Sequence, residues 1–143
     1  MNNTYFHTSP REIKEINSWG ALGEVLCFSS TVYCMSAAEN VIVYTIELDE
    51  SEIVEVCELD CEESAQEIAA LLSISEDDAA RVLDGRDSAL LDHGADAEQD
   101  LAVQGIQGLA AKRMGYRAAV GNDEQGAVYL VPMRGRESEL RVA

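Results

Sequence analysis

The chain has 143 residues, 47% of them hydrophobic, enough for one domain with a real core. Its formal net charge is −17, a surface that repels phosphate backbones and argues against direct binding of DNA or RNA. No apolar run approaches the roughly 18–20 residues of a membrane span, and the Asn-rich start lacks a signal-peptide core, so a cytoplasmic protein is expected.

In chain order, Tyr5-Phe6-His7-Thr8-Ser9-Pro10 starts as an extended segment and stops abruptly. Ser9, Pro10 and Glu12 make a capping box with proline at the first helical position, predicting a short helix from about Pro10 to Asn17. His7 and Thr8 then end a strand that enters a helix, a usual place for ligand-binding side chains; a satisfied core histidine is the plainer reading. Gly23 to Ser30 predicts a second strand, and Ser29 and Ser30 offer caps for a short turn or helix through Tyr33, Met35 and Ala38. Asn40 to Leu48 is β-branched and apolar on both faces until Glu47, the clearest strand of the chain. Ile53 to Cys57 is expected to extend that sheet or pair with it.

The middle turns helical and acidic, an insertion of about residues 60–95 in a single domain of 1–143. Cys61 to Leu72 keeps Ala65, Ile68, Ala69 and Leu72 on one stripe. Ser75 caps a second helix with acids in its first turn, and Ala79, Val82 and Leu83 form its apolar side up to Gly85. Asp92 to Asp96 shows no internal order. Ala97 to Met114 predicts a third helix through Leu101, Ile106, Leu109 and Ala110, with Gly105 and Gly108 as weak points or close contacts and Gly115 as its cap. Tyr116 to Val120 and Ala127 to Val131 read as a hairpin around Asn122-Asp123-Glu124-Gln125-Gly126, and Glu139 to Val142 as a last edge strand. That hairpin tip is either a solvated acidic turn or a place where a carboxylate is held rigidly at a strand end.

The acidity is local. Between Glu47 and Asp100 nineteen acids face only Arg81 and Arg86, whereas the rest balances eight acids with eight bases. Such a block serves solubility or a basic partner, for instance a surface that normally grips nucleic acid. Cys27, Cys34, Cys57 and Cys61 form no C-x-x-C pair, and His7 and His93 lie far from them, so no metal site is expected. They are expected as buried small apolar residues rather than disulfides.

Phe6-His7-Thr8-Ser9-Pro10 with Glu12-Ile13, Gly23-Glu24 with Leu26-Cys27-Phe28, Asp49-Glu50-Ser51 and Asp123-Glu124-Gln125-Gly126 together resemble a known family. The order of a histidine motif, an aromatic-Ser motif and a late carboxylate is similar to the ADP-ribosyltransferase fold. The wording of the motifs resembles the ADP-ribosylating anti-CRISPR family acting on type I-F systems. The resemblance covers roughly the first 53 and last 35 residues; the acidic middle matches in character. It implies an α+β fold, an ADP-ribosyltransferase-like split β-sheet with an acidic helical insertion. It implies an enzyme that takes NAD+ as substrate and attaches ADP-ribose to an asparagine of the large subunit of the type I-F surveillance complex, the subunit that reads the protospacer-adjacent motif. It further implies Asp123 as the catalytic acid with Glu124 second and Gln125 orienting the target amide. His7, Thr8 and Ser9 would hold NAD+, Phe28 or Tyr33 would stack on nicotinamide, and Ser29 would hold the adjacent ribose. Arg11, Lys14, Arg113 and Arg117 are candidates to offset the phosphates. The alternatives are a non-enzymatic acidic protein that mimics DNA in a basic groove, and a transferase toxin with another target.

Overall fold

In the computed structural model, which describes residues 2–9, 23–30, 42–123 and 126–142, alternation along the longest strands sets the frame. Strand β1 (Asn2–Ser9) pairs antiparallel with β3 (Ile42–Asp49), from Asn2 opposite Asp49 to Ser9 opposite Ile42. Strand β7 (Arg141–Val142) adds to the free edge of β3. On β3, Tyr44, Ile46 and Leu48 are buried while Glu47 is exposed and Val43 and Thr45 are half-buried. The strand is therefore one-sided, not apolar on both faces as its composition suggested, because only one face of this three-stranded sheet packs on the core.

The second sheet has the order β2-β6-β5-β4, with β2 at Val25–Phe28, β6 at Gly126–Pro132, β5 at Ala118–Asp123 and β4 at Ile53–Glu55. Strand β4 lies parallel to β5, and the other pairs are antiparallel. Ile53 to Cys57 was expected beside β3; instead β4 edges the other sheet. A turn at Glu50–Glu52 redirects the chain: Asp49 accepts from the Ser51 N–H at 3.0 Å and its hydroxyl at 2.9 Å, and Glu52 accepts from the Asp49 N–H at 3.0 Å. The Ser51 N–H first, and also its hydroxyl, lower the pKa of the Asp49 carboxyl to about 2.

Both faces of the second sheet are covered. Tyr5, Phe28, Ile46, Leu48, Val131 and Met133 pack between the two sheets. On the other face Val25, Val54, Ala119 and Leu130 meet the helices α1 (Glu62–Leu72), α2 (Glu76–Leu83), α3 (Ala89–His93) and α4 (Ala97–Arg113). The architecture is mixed α+β.

Helix starts follow their caps. Ser75 Oγ accepts from the Asp78 N–H at 3.1 Å, and Asp96 and Gln99 close a reciprocal box at the start of α4, at 2.7 and 3.0 Å. Gly108 is a close contact rather than a weak point: a Cβ there would stand 2.8 Å from Val25 Cγ2. Leu101, expected inward, is 39% exposed, and Val103 takes the core position. Asp92 and His93 belong to α3, whose start Ser88 caps by accepting from the Leu91 N–H at 3.2 Å; five residues are too few for a periodic signal. Cys57 is exposed in the turn after β4, against the expectation of burial, while Cys27 and Cys61 are half-buried. The expected Pro10 helix, the short turn or helix through Tyr33, Met35 and Ala38, and Cys34 lie outside the described residues.

Candidate functional site

Among the described residues the two sheets meet at one backbone pair. The Phe6 N–H donates to the Ser29 carbonyl and the Ser29 N–H to the Phe6 carbonyl, each at 2.8 Å. Past this junction β1 continues with β3 and β2 with β6, so the sheet splits.

His7 follows immediately. Its ring centroid lies 5.5 Å from that of Phe28 at an interplanar angle of 47°, and its Nδ1 is 2.7 Å from the Cys27 carbonyl oxygen. A carbonyl only accepts, so Nδ1 carries the hydrogen, and in the neutral ring Nε2 keeps its lone pair as an acceptor. Burial lowers the His7 pKa and outweighs the bond to Cys27, which raises it. At neutral pH the ring is uncharged.

Phe28 is 1% exposed and forms the floor under His7. Ser29 is buried, with its hydroxyl donating to the Phe6 carbonyl at a long 3.5 Å. Thr8 is half-buried on the alternate face of β1. The backbone of Ser9 ends β1 opposite Ile42. Tyr5 shares the His7 side of β1, and its ring centroid lies 4.2 Å from that of Tyr129, the partner of Phe28 on β6. Burial, and then Tyr5, raise the Tyr129 pKa. Sequence reasoning missed this tyrosine pair, although the i, i+2 spacing of Tyr5 and His7 on one strand was a signal for a shared face.

The backbone of Asp123 closes β5 opposite Gly126, whose φ is +118°. Gly126 lies three residues along β6 from Tyr129, about 10 Å at the strand rise. The hairpin tip therefore stands at the same end of the second sheet as Ser29. Glu124, Gln125 and Tyr33 lie outside the described residues.

Two of the four candidate phosphate partners are engaged within the chain. Arg113 donates to Ser64 Oγ at 2.8 Å and pairs with Glu67 and, at 3.5 Å, Glu63, tying α4 to α1. Arg117 pairs with Glu139 at 2.7 Å and with Glu52 at 3.9 Å. Arg11 and Lys14 lie outside the described residues. Among the described residues no three His, Cys, Asp or Glu side chains are grouped to hold a metal ion, and no helix is long and apolar enough to cross a membrane. A broad cleft of about 1470 Å³ opens on the other, helix-covered face of the second sheet, away from His7. Glu55, Asp84, Asp87 and Asp100 line it, so it disfavours a dinucleotide on charge.

No family model and no curated protein sequence matches the chain. Its fold is similar to that of a solved structure described as an anti-CRISPR protein, 20% identical, with 99% of this chain and 94% of that chain covered and a TM-score of 0.60.

Proposed function

We propose that the chain is an NAD+-dependent mono-ADP-ribosyltransferase that inactivates the type I-F CRISPR surveillance complex by modifying an asparagine of its large, motif-reading subunit. The observation that carries the reading is the Phe6–Ser29 junction, which sets a neutral His7, backed by Phe28, at the corner where the sheet splits. The anti-CRISPR description of the similar fold supports the biological setting.

The donor set suits the ribose end of NAD+. His7 Nε2 accepts a ribose hydroxyl, and its Nδ1 bond to Cys27 fixes the ring for that task. Thr8 and Ser9 supply further polar groups, and Ser29 holds the nicotinamide-proximal ribose. Because Phe28 is buried beneath His7, its part is to support that ring, and stacking on nicotinamide falls to Tyr33.

The reaction breaks the bond between nicotinamide and ribose C1′ and forms one from C1′ to the target amide nitrogen, which loses a proton. Positive charge grows on the ribose as nicotinamide leaves, and a fixed carboxylate stabilises it. Asp123 has this role and helps take the amide proton, with Glu124 as the second candidate for it and Gln125 orienting the amide.

The test is intact-mass spectrometry of every subunit after incubation of the complex with one-tenth molar protein, with and without NAD+. A gain of one ADP-ribose on the large subunit, beyond the molar amount of the protein and only with NAD+, is expected. Loss of DNA binding at equimolar protein without any mass change supports the second reading, an acidic inhibitor occupying a basic groove, which the −17 of residues 47–100 favours.

A further inference from the structure

The acidic cleft on the helix side of the second sheet has a part that the transferase reading leaves unused. Its floor is apolar: Val56 and Val128 line it, pack on the helix-side core and are only half-buried. Helix α3 presents two leucines along it, Leu90 at 44% and Leu91 at 88% exposure. A leucine so exposed beside an open apolar floor makes a contiguous patch that water alone covers at a cost.

The rim is acidic, with two of its four carboxylates already matched. Asp84 is matched by Arg86 at 2.8 Å, and Asp87 by Arg81 at 3.3 Å and His93 at 3.0 Å. Glu55 and Asp100 make no ion pair among the described residues, and no described lysine or arginine lines the cleft. Charge then selects the occupant. A second copy of a −17 chain, a nucleic acid, a nucleotide or an anionic membrane is repelled. A cationic protein segment with an apolar side chain fits both the rim and the floor.

We propose that this cleft is the docking surface for an arginine- or lysine-rich segment of a protein partner, with Leu91 and the valine floor as its apolar anchor and Glu55 and Asp100 as its charge partners. Gly121 and Asn122 line one end of the cleft, next to Asp123, so a docked segment lies against the hairpin that carries the tip. The inference holds for any basic protein target and stands apart from the transferase reading.

The experiment titrates the isotopically labelled full chain with a synthetic peptide of alternating arginine and leucine, followed by amide NMR. Shifts are expected at Leu91, Gln104 and Gly121. The Kd is expected to rise about tenfold in Leu91→Ser, and again in the double variant Glu55→Gln, Asp100→Asn. The equally neutralising pair Glu58→Gln, Glu62→Gln, off the cleft, leaves it unchanged. Leu91 is nearly all in solvent, so its replacement spares the fold. Absence of binding, shifts spread over α1 and α2 with the cleft amides still, or equal loss in the control pair overturns the proposal. Peptide binding in the cleft together with no ADP-ribose on the surveillance complex keeps the docking surface and removes the transferase reading.

Discussion

His7 ties structure to pH. Its folded pKa lies below its ordinary 6.5 because burial outweighs the bond to the Cys27 carbonyl. Above 6.5 the ring is neutral in both states. As pH falls below 6.5 the unfolded chain takes up the proton first, so stability is lost from there down through the folded pKa. Thermal melts between pH 7.5 and 5 are expected to show a falling Tm that flattens in His7→Gln. Asp49 acts in a separate window: held at about 2 against an ordinary 3.8, its contribution disappears only as pH drops from about 4 toward 2. Under the proposed transferase function, Asp123→Asn is expected to cut transfer about 10²–10³-fold while far-UV circular dichroism stays unchanged, since that reading makes Asp123 the charge-stabilising group. Full activity in that variant would assign the acid role to Glu124.

At the scale of elements, α4 is pressed against β2 and β6 through a glycine. Gly108→Ala gains about 1 kcal/mol of helix propensity but drives a methyl to 2.8 Å from a buried, β-branched Val25. Overpacking of this kind costs about 1–3 kcal/mol, so urea melts are expected to show a net loss of stability. Ser75→Ala removes the α2 cap and is expected to cost about 1 kcal/mol, roughly 3–5 °C in Tm. The Asp49 turn is the hinge of the architecture, because it carries the chain from one sheet to the other.

For the whole molecule, the separation of charge from chemistry matters most. The −17 block lies between Glu47 and Asp100, with nine of its nineteen acids on α1–α3 and the first turn of α4 and the rest on β3, β4 and the connecting turns, while His7 sits at the sheet junction on the other side of the second sheet from those helices. Steering by that block is an encounter effect, screened over about 10 Å at 0.1 M salt. If the chain is the proposed transferase, its kcat/KM for the protein target is therefore expected to fall steeply with ionic strength, while the KM for NAD+ changes little. Initial-rate measurements from 50 to 300 mM salt (about the range over which screening grows) check this.

The sequence by itself determined what short-range chemistry controls. Ser75 starts a helix because its side-chain oxygen reaches an N–H three residues on, and Gly126 closes the hairpin because glycine tolerates a φ of +118°. The charge block was likewise visible from residue types, whereas His7, Phe28 and Ser29 took their site roles only through the family resemblance. Only the tertiary structure decided that His7 rests on Phe28 and bonds Cys27, twenty residues away. It alone placed β4 in the second sheet, engaged Arg113 and Arg117 in internal ion pairs, and left Leu91 in solvent beside an apolar floor. Each of these depends on where distant segments cross, which the path of the chain sets and no local pattern encodes.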